Sequence, residues 1–389
     1  MNETKQILSQ TSIEEIALEA QKISDISKIG YQFLKENKID DAIDCFTKII
    51  MLDENNNYAL VGMGDASRKM GSVKDAVKYY LRCLDHHPGN NYALFGLADC
   101  YKAMNQYQKA INIWEQYLLH DDKNITVLTR IADAYRKVRD FNNSKKTYQK
   151  VLEMEEGNAY AIIGLGHLHY DFKEYKGALY YWEKMLKSEE ADVENTGIDN
   201  ESIKNANVDI RVLTSIGNCH RKLKTFSEGI PYFEEALRRD KQNFYALFGL
   251  ADCYRGLNLF EKSLEYWNLI LDQDPKNKMI LTRAGDACRN LNNLDKAKEL
   301  YERALNIEFD TYAVMGMAIL SRINGKYDEA VISFKHLIRQ DNKNYRLYLE
   351  LADCYLKTGD KKAALETLEE FQKHGIKNQK ISEMLDNLK

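Results

Sequence analysis

Proline is scarce in this chain: three residues in 389, beside 44% hydrophobic and 29% charged residues, a composition that favours continuous helix over looped chain. Long apolar runs are missing as well. No 18 consecutive apolar residues occur, which excludes an ordinary membrane-spanning helix. The first 22 residues carry Glu3, Glu14, Glu15 and Glu19 and lack the apolar core of a secretory leader, so a soluble, cytoplasmic protein is the expectation. Signatures of catalysis are equally wanting. Gly62-Met63-Gly64 and Gly164-Leu165-Gly166 lie inside helical pattern and do not form a strand-to-helix phosphate loop. No nucleophile elbow, zinc-protease helix or paired-carboxylate cleft can be read, so neither an enzyme nor a cofactor is expected. The seven cysteines include no Cys-x-x-Cys pair, and His167 and His169, two apart on a helix, point to different faces; no metal site is expected.

What the chain does have is self-similarity. Gly30, Gly64, Ala98, Ala132 and Gly166 recur every 34 residues; after an insertion of 17 the series resumes at Gly217, Ala251 and Gly285 and continues at Ala318 and Ala352. Repetition at this period means one supersecondary unit stacked on itself. In residues 91–124, Leu94, Leu97, Ala98 and Tyr101 fall at helical spacing, and Ala110 and Trp114 do so after a break, which makes two amphipathic helices. The break is held by Asn37, Gly71, Asn105, Asn258, Asn292, Gly325 and Gly359, residues that tolerate the left-handed conformation ending a helix. The Gly/Ala series and a second one (Ala42, Ala76, Ala110, Ala178, Ala297, Ala330, Ala364) let the helices approach closely. Phe46, Tyr80, Trp114, Tyr148, Trp182, Phe233, Trp267, Tyr301 and Phe334 fill the space beside them. Cys100, Cys219, Cys253 and Cys354 share one place in the unit and read as small buried hydrophobes kept reduced.

This pattern resembles the tetratricopeptide repeat family, whose signature of Trp/Leu, Leu-Gly/Ala, Tyr, Ala, Phe and Pro is met in copy after copy. The resemblance implies an all-α fold, a right-handed superhelical solenoid of about ten antiparallel helix pairs with capping helices at both ends. The repeats fall at 23–56, 57–90, 91–124, 125–158, 159–192, 210–243, 244–277, 278–310, 311–344 and 345–378. Around them stand an N-terminal segment with a capping helix (1–22), an acidic flexible insertion (193–209) and a C-terminal capping helix (379–389). Ser12 with Glu15 forms a capping box for the first cap. Ser144, Gly229 and Ser263 replace the family's Ala, and Ser67, Cys288 and Ser321 its Tyr, so those units are expected to pack less tightly.

In the family the first helices line a concave groove, chiefly through the second, fifth, sixth, ninth, twelfth and thirteenth places of each unit. Helical spacing independently puts most of these on one face. Repeats three, five, seven and nine carry Tyr92, Tyr160, Tyr245 and Tyr312 with Gly96, Gly164, Gly249 and Gly316, and Phe95 and Phe248 lie between them in repeats three and seven. Repeats four, six and eight carry Thr129-Arg130, Thr214-Ser215 and Thr282-Arg283 instead, so the true period is two repeats, and each glycine is expected to leave a dent lined by the neighbouring aromatic. Asp65, Asp99, Asp133, Asp252, Asp286 and Asp353 form a ladder at the ninth place, with Asn218 in line; three residues on stand Arg68, Lys102, Arg136, Arg221, Arg255 and Arg289. These read as exposed pairs within one helix, worth about a few tenths of a kcal/mol each.

Over the six places, 17 basic residues face 8 acids, a net of plus 9 on a chain of net charge −4. An acidic protein segment with apolar anchors is therefore the expected partner of a non-catalytic scaffold, held by Tyr92, Phe95, Asp99, Lys102, Arg130, Asp133, Arg136, Arg211, Asn218, Arg221, Tyr245, Phe248, Asp252, Arg255, Arg283, Asp286 and Arg289. The rival is a nucleic-acid-binding solenoid, for which arginine and tyrosine would serve; the aspartate ladder repels phosphate and ranks it second. The two-carboxylate clamp of one family branch is lacking, since no Lys stands at a fifth place and no Asn at a sixth. Residues 91–124 and 244–277 share half their positions, including the run Tyr92 to Tyr101 repeated at Tyr245 to Tyr254, which points to a duplicated four-repeat block with two equivalent pockets. The insertion reads either as tolerated ornament or as an acidic loop folding over the cationic sixth repeat, where Gly229 and Pro231 suggest a flexible joint.

Overall fold

The computed structural model describes residues 21–196 and 210–388, and the side chains of all these except 188–196. Most of the expected capping helix at 12–22 and the bulk of the insertion, 197–209, lie outside the described residues. The chain divides into two units, Met1–Ser188 and Glu189–Lys389. In the first, α1 (21–35), α2 (Ile39–Leu52), α3 (Asn57–Lys69), α4 (Val73–His86), α5 (Asn91–Ala103), α6 (Tyr107–Leu118), α7 (Ile125–Lys137), α8 (Phe141–Met154), α9 (Ala159–Asp171) and α10 (Tyr175–Thr196) follow one another. α10 continues to Thr196, which corrects the expectation that loop begins at Val193.

The second unit holds α11 (Ile210–Leu223), α12 (Phe226–Arg239), α13 (Phe244–Gly256), α14 (Phe260–Gln273), α15 (Lys278–Asn290), α16 (Leu294–Ile307), α17 (Thr311–Ile323), α18 (Tyr327–Gln340), α19 (Tyr345–Lys357), α20 (Lys361–Lys373) and α21 (Gln379–Leu388). Within each unit every helix packs on the next in sequence, and first helices of adjacent repeats also touch, as α3 does α5 and α13 does α11. The described residues contain no strand.

Each unit of the repeat is punctuated by local chemistry. All seven expected turn residues have positive φ, and the three repeats without Asn or Gly there use Arg139, Lys173 and Lys224 at φ 64–66°. A further signal closes the repeats: Asn56, Asn90, Asn124, Asn158, Asn243 and Asn277 each accept a backbone N–H at the start of the next first helix. An acid three residues earlier takes the amide's N–H in turn, as Asp121 does from Asn124 (2.8 Å) and Asp274 from Asn277 (3.1 Å). This Asp/Glu-x-x-Asn closure stands where the family's proline is mostly absent.

The core is a row of plugs. Tyr80, Trp114, Tyr148, Trp182, Phe233, Trp267, Tyr301 and Phe334 are fully buried on the second helices. A Cβ added at Gly96, Gly164, Gly249 or Gly316 would sit closer than 3.0 Å to the ring of Tyr80, Tyr148, Phe233 or Tyr301, one repeat back. The sixth-place glycines are therefore filled from inside and form no surface pockets, contrary to the reading from sequence. Ser144 and Ser263 are also buried, with each hydroxyl donating to a carbonyl of the facing helix (Ala132 and Ala251, both 2.8 Å), so these serines are satisfied packing and no sign of looseness.

Candidate functional site

The aspartate ladder divides into two kinds according to the ring behind it. Where the second helix carries Tyr, its hydroxyl donates to the ninth-place carboxylate of its own repeat: Tyr80 to Asp65, Tyr148 to Asp133 and Tyr301 to Asp286, all 2.7 Å. Burial and the adjacent carboxylate push these phenols far above their usual range. Repeats three and seven carry Trp114 and Trp267 at that place, and an indole has no hydroxyl to give. Their carboxylates, Asp99 and Asp252, are held by arginines of the adjacent repeats instead.

Asp99 receives Arg68 of α3 (3.1 Å) and Arg130 of α7 (2.6 Å), while Arg68 also reaches Asp65 (3.1 Å). Asp252 receives three: Arg221 of α11 (2.7 Å), Arg283 of α15 (3.2 Å) and Arg255 of its own helix (2.8 and 2.9 Å). The guanidiniums also lie over aromatic faces, Arg130 4.8 Å from the centroid of Phe95, and Arg221 and Arg283 5.4 and 5.2 Å from Phe248. Arg136 bridges Asp133 (3.2 Å) to Asp171 of α9 (2.6 Å); Arg289 reaches Asp286 (3.3 Å) and the Tyr301 hydroxyl (3.3 Å). The pairs thus cross between repeats and are part-buried, which corrects the expectation of exposed pairs confined to one helix.

Electrostatics separates the clusters. Burial raises the acid of Asp252, but Arg255 and Arg221 outweigh it and hold the group below the ordinary aspartate value. Burial lowers Arg283, and Arg255 and Arg221 lower it further against the pull of Asp252, leaving it below the ordinary arginine value. For Arg68, Arg136 and Arg289 burial acts the same way, yet neighbouring carboxylates and phenols win and the net shift is upward. Positive charge is in excess around Asp252 alone among these.

Models described as tetratricopeptide repeat match residues 67–129 and 322–374, 217–278, and 125–158 and 280–311, most of the chain from the second repeat onward. The chain belongs to the tetratricopeptide repeat family. No curated protein matches it. Among solved structures, a tetratricopeptide repeat protein from Parabacteroides merdae is 14% identical over 73% of this chain and 99% of its own, with TM-score 0.50. YrrB, described as a TPR protein with an unusual peptide-binding site, is 19% identical over 52% of this chain and 95% of its own (TM-score 0.42). MamA is 20% identical over 48% and 92% (TM-score 0.39).

Elsewhere on the tetratricopeptide repeat surface, Tyr92 and Tyr245 are 78% and 68% exposed, and Arg211 is exposed at the start of α11, while Lys102 and Asn218 are half-buried. Tyr92 also lines a cleft of 1140 Å³ with Lys28, Tyr31, Tyr58, Val61 and Asp65, a feature not read from the sequence. The Tyr31 hydroxyl donates to the Tyr58 carbonyl at its wall (3.0 Å). The linkage of Arg68 and Arg221 to the next repeat had a visible signal, for each arginine precedes its aspartate by 31 residues, one period less three. All seven cysteines are buried, and burial pushes Cys83, Cys100 and Cys354 up to about 11. His169 faces Glu174 (2.7 Å) and His220 faces Thr225 (2.9 Å); among the described residues no group of three or more His, Cys, Asp or Glu converges. No helix among them is long and apolar enough to cross a membrane.

Proposed function

We propose that this protein is a non-catalytic cytoplasmic scaffold whose first helices hold an acidic, apolar-anchored segment of a partner protein. The observation that carries the reading is the cluster of Arg221, Arg255 and Arg283 on one carboxylate, Asp252, beside the exposed ring of Tyr245. Guanidinium edges offer paired N–H donors to a carboxylate, and a neighbouring tyrosine offers apolar area at low entropic cost. Buried thiols suit a reducing compartment. The test is fluorescence anisotropy of the full chain with a labelled octapeptide of alternating glutamate and leucine, competed by single-stranded RNA. Saturable peptide binding at physiological salt that RNA does not displace is the expected result. RNA binding that displaces the peptide and falls steeply with salt would establish the nucleic-acid reading in its place.

A further inference from the structure

The two duplicated blocks differ at one charged position with large electrostatic effect. Asp65 and Asn218 occupy the same ninth place, one repeat before the Trp-bearing repeats three and seven. In the first block Arg68 has a carboxylate on its own helix, Asp65, and a second on the next, Asp99. In the second block Asn218 is an uncharged amide, and Arg221 leans on Asp252 alone among the ion pairs. The Arg221 Nε is buried with no hydrogen-bond partner. Arg255, in the place of Lys102, adds its own guanidinium to the same carboxylate.

Counting these groups, Asp65 and Asp99 face Arg68, Arg130 and Lys102, a net of plus 1, whereas Asp252 alone faces Arg221, Arg255 and Arg283, a net of plus 2. Asp252 is only 10% exposed, but Arg255 and Arg283 keep 44% and 33% of their side chains open to solvent, so their outer edges are reachable. One internal carboxylate cannot saturate three guanidiniums, each with five N–H donors. A buried excess of charge is costly and is relieved by an incoming anion.

We infer that the two blocks are unequal and that the acidic partner docks a glutamate or aspartate side chain on the Arg221–Arg255–Arg283 cluster of repeats six to eight, with Asn218 as the residue that leaves the site open. This rests on the scaffold reading above and names its principal anchor. The cluster around Asp99, closed by Asp65, serves mainly to hold repeats two to four together.

The experiment exchanges the two ninth-place residues. Asn218→Asp copies a side chain that repeats two, three, four, seven, eight and ten already carry at this place, so the fold has room for it. It supplies Arg221 with the missing carboxylate. In the full chain, Asn218→Asp should weaken the labelled glutamate–leucine peptide about tenfold, Asp65→Asn should tighten it, and Asn142→Asp, on the exposed face of α8, should leave it unchanged. Circular dichroism melts check that each variant is folded. Wild-type affinity in Asn218→Asp, or an equal loss in Asn142→Asp, would overturn the inference while leaving the scaffold standing. Failure of the peptide to bind the wild type would overturn both, and a loss seen with RNA but not with the peptide would assign the site to phosphate.

Discussion

Asp252 and Asp133 hold the same place in the repeat, yet one is gripped by arginines and the other by a phenol, because the ring behind the first is Trp267 and behind the second Tyr148. A consequence in pH follows. The folded-state value of Asp252 is depressed, so its stabilising charge is fully present above the unfolded carboxylate value near ~3.9 and is lost as pH falls through the lower folded value. Asp252→Asn should cost about 2–4 kcal/mol at neutral pH by urea unfolding, because it leaves buried guanidiniums without their carboxylate. The gap to wild type should narrow below about pH 4 as the wild-type group protonates; a gap constant from pH 7 to 3 would mean that the charge of Asp252 does not matter. The aspartate ladder and the arginines were legible in the sequence as a register. Their partners were not, since pairing at i,i+3 looks sufficient on a single helix and only stacking brings a residue 31 positions away within 2.6 Å.

At the scale of the element, glycine in a first helix appears wasteful, for it weakens a helix by about 1 kcal/mol relative to alanine. The plugs explain it. Gly249 lets the ring of Phe233 lie against the backbone of α13, and an added methyl would meet ring carbons closer than 3.0 Å. Gly249→Ala should therefore destabilise by about 1–3 kcal/mol despite its better propensity. Gly157→Ala, where nothing lies within 4 Å, should stay within about 0.5 kcal/mol of wild type in the same denaturant titration. Equal effects at the two sites would remove the steric explanation. The alternation of glycine with arginine at the sixth place was readable, and its cause required comparing that place with the aromatic of the preceding repeat. Phe or Tyr faces glycine at Gly62, Gly96, Gly164, Gly249 and Gly316, whereas Trp114 and Trp267 precede Arg130 and Arg283; Phe334 before Glu350 departs from the rule. Helix starts were legible only in part, because the closing Asn belongs to the preceding repeat and shows no periodicity of its own.

For the whole molecule, packing reaches only neighbouring helices within each unit, so stability is a sum of local terms with no single core to collapse. Trp114→Ala should cost about 3–5 kcal/mol where it acts and strip hydrogen-exchange protection from residues 91–158 while residues 244–373 keep theirs. Loss of protection in both units together would show a cooperativity that nearest-neighbour packing does not supply. The alternation of rings also constrains how such an array can have grown. Removing a single repeat from the second to fifth, or from the sixth to ninth, would set tryptophan against a glycine groove cut for a smaller ring, or bring two arginine-bearing helices to one aspartate position with no tyrosine between. Removing two leaves every junction as it was. The heritable brick of this protein is therefore the pair of repeats, and insertions or deletions that survive among its descendants should come in steps of 68 residues, twice the period of 34.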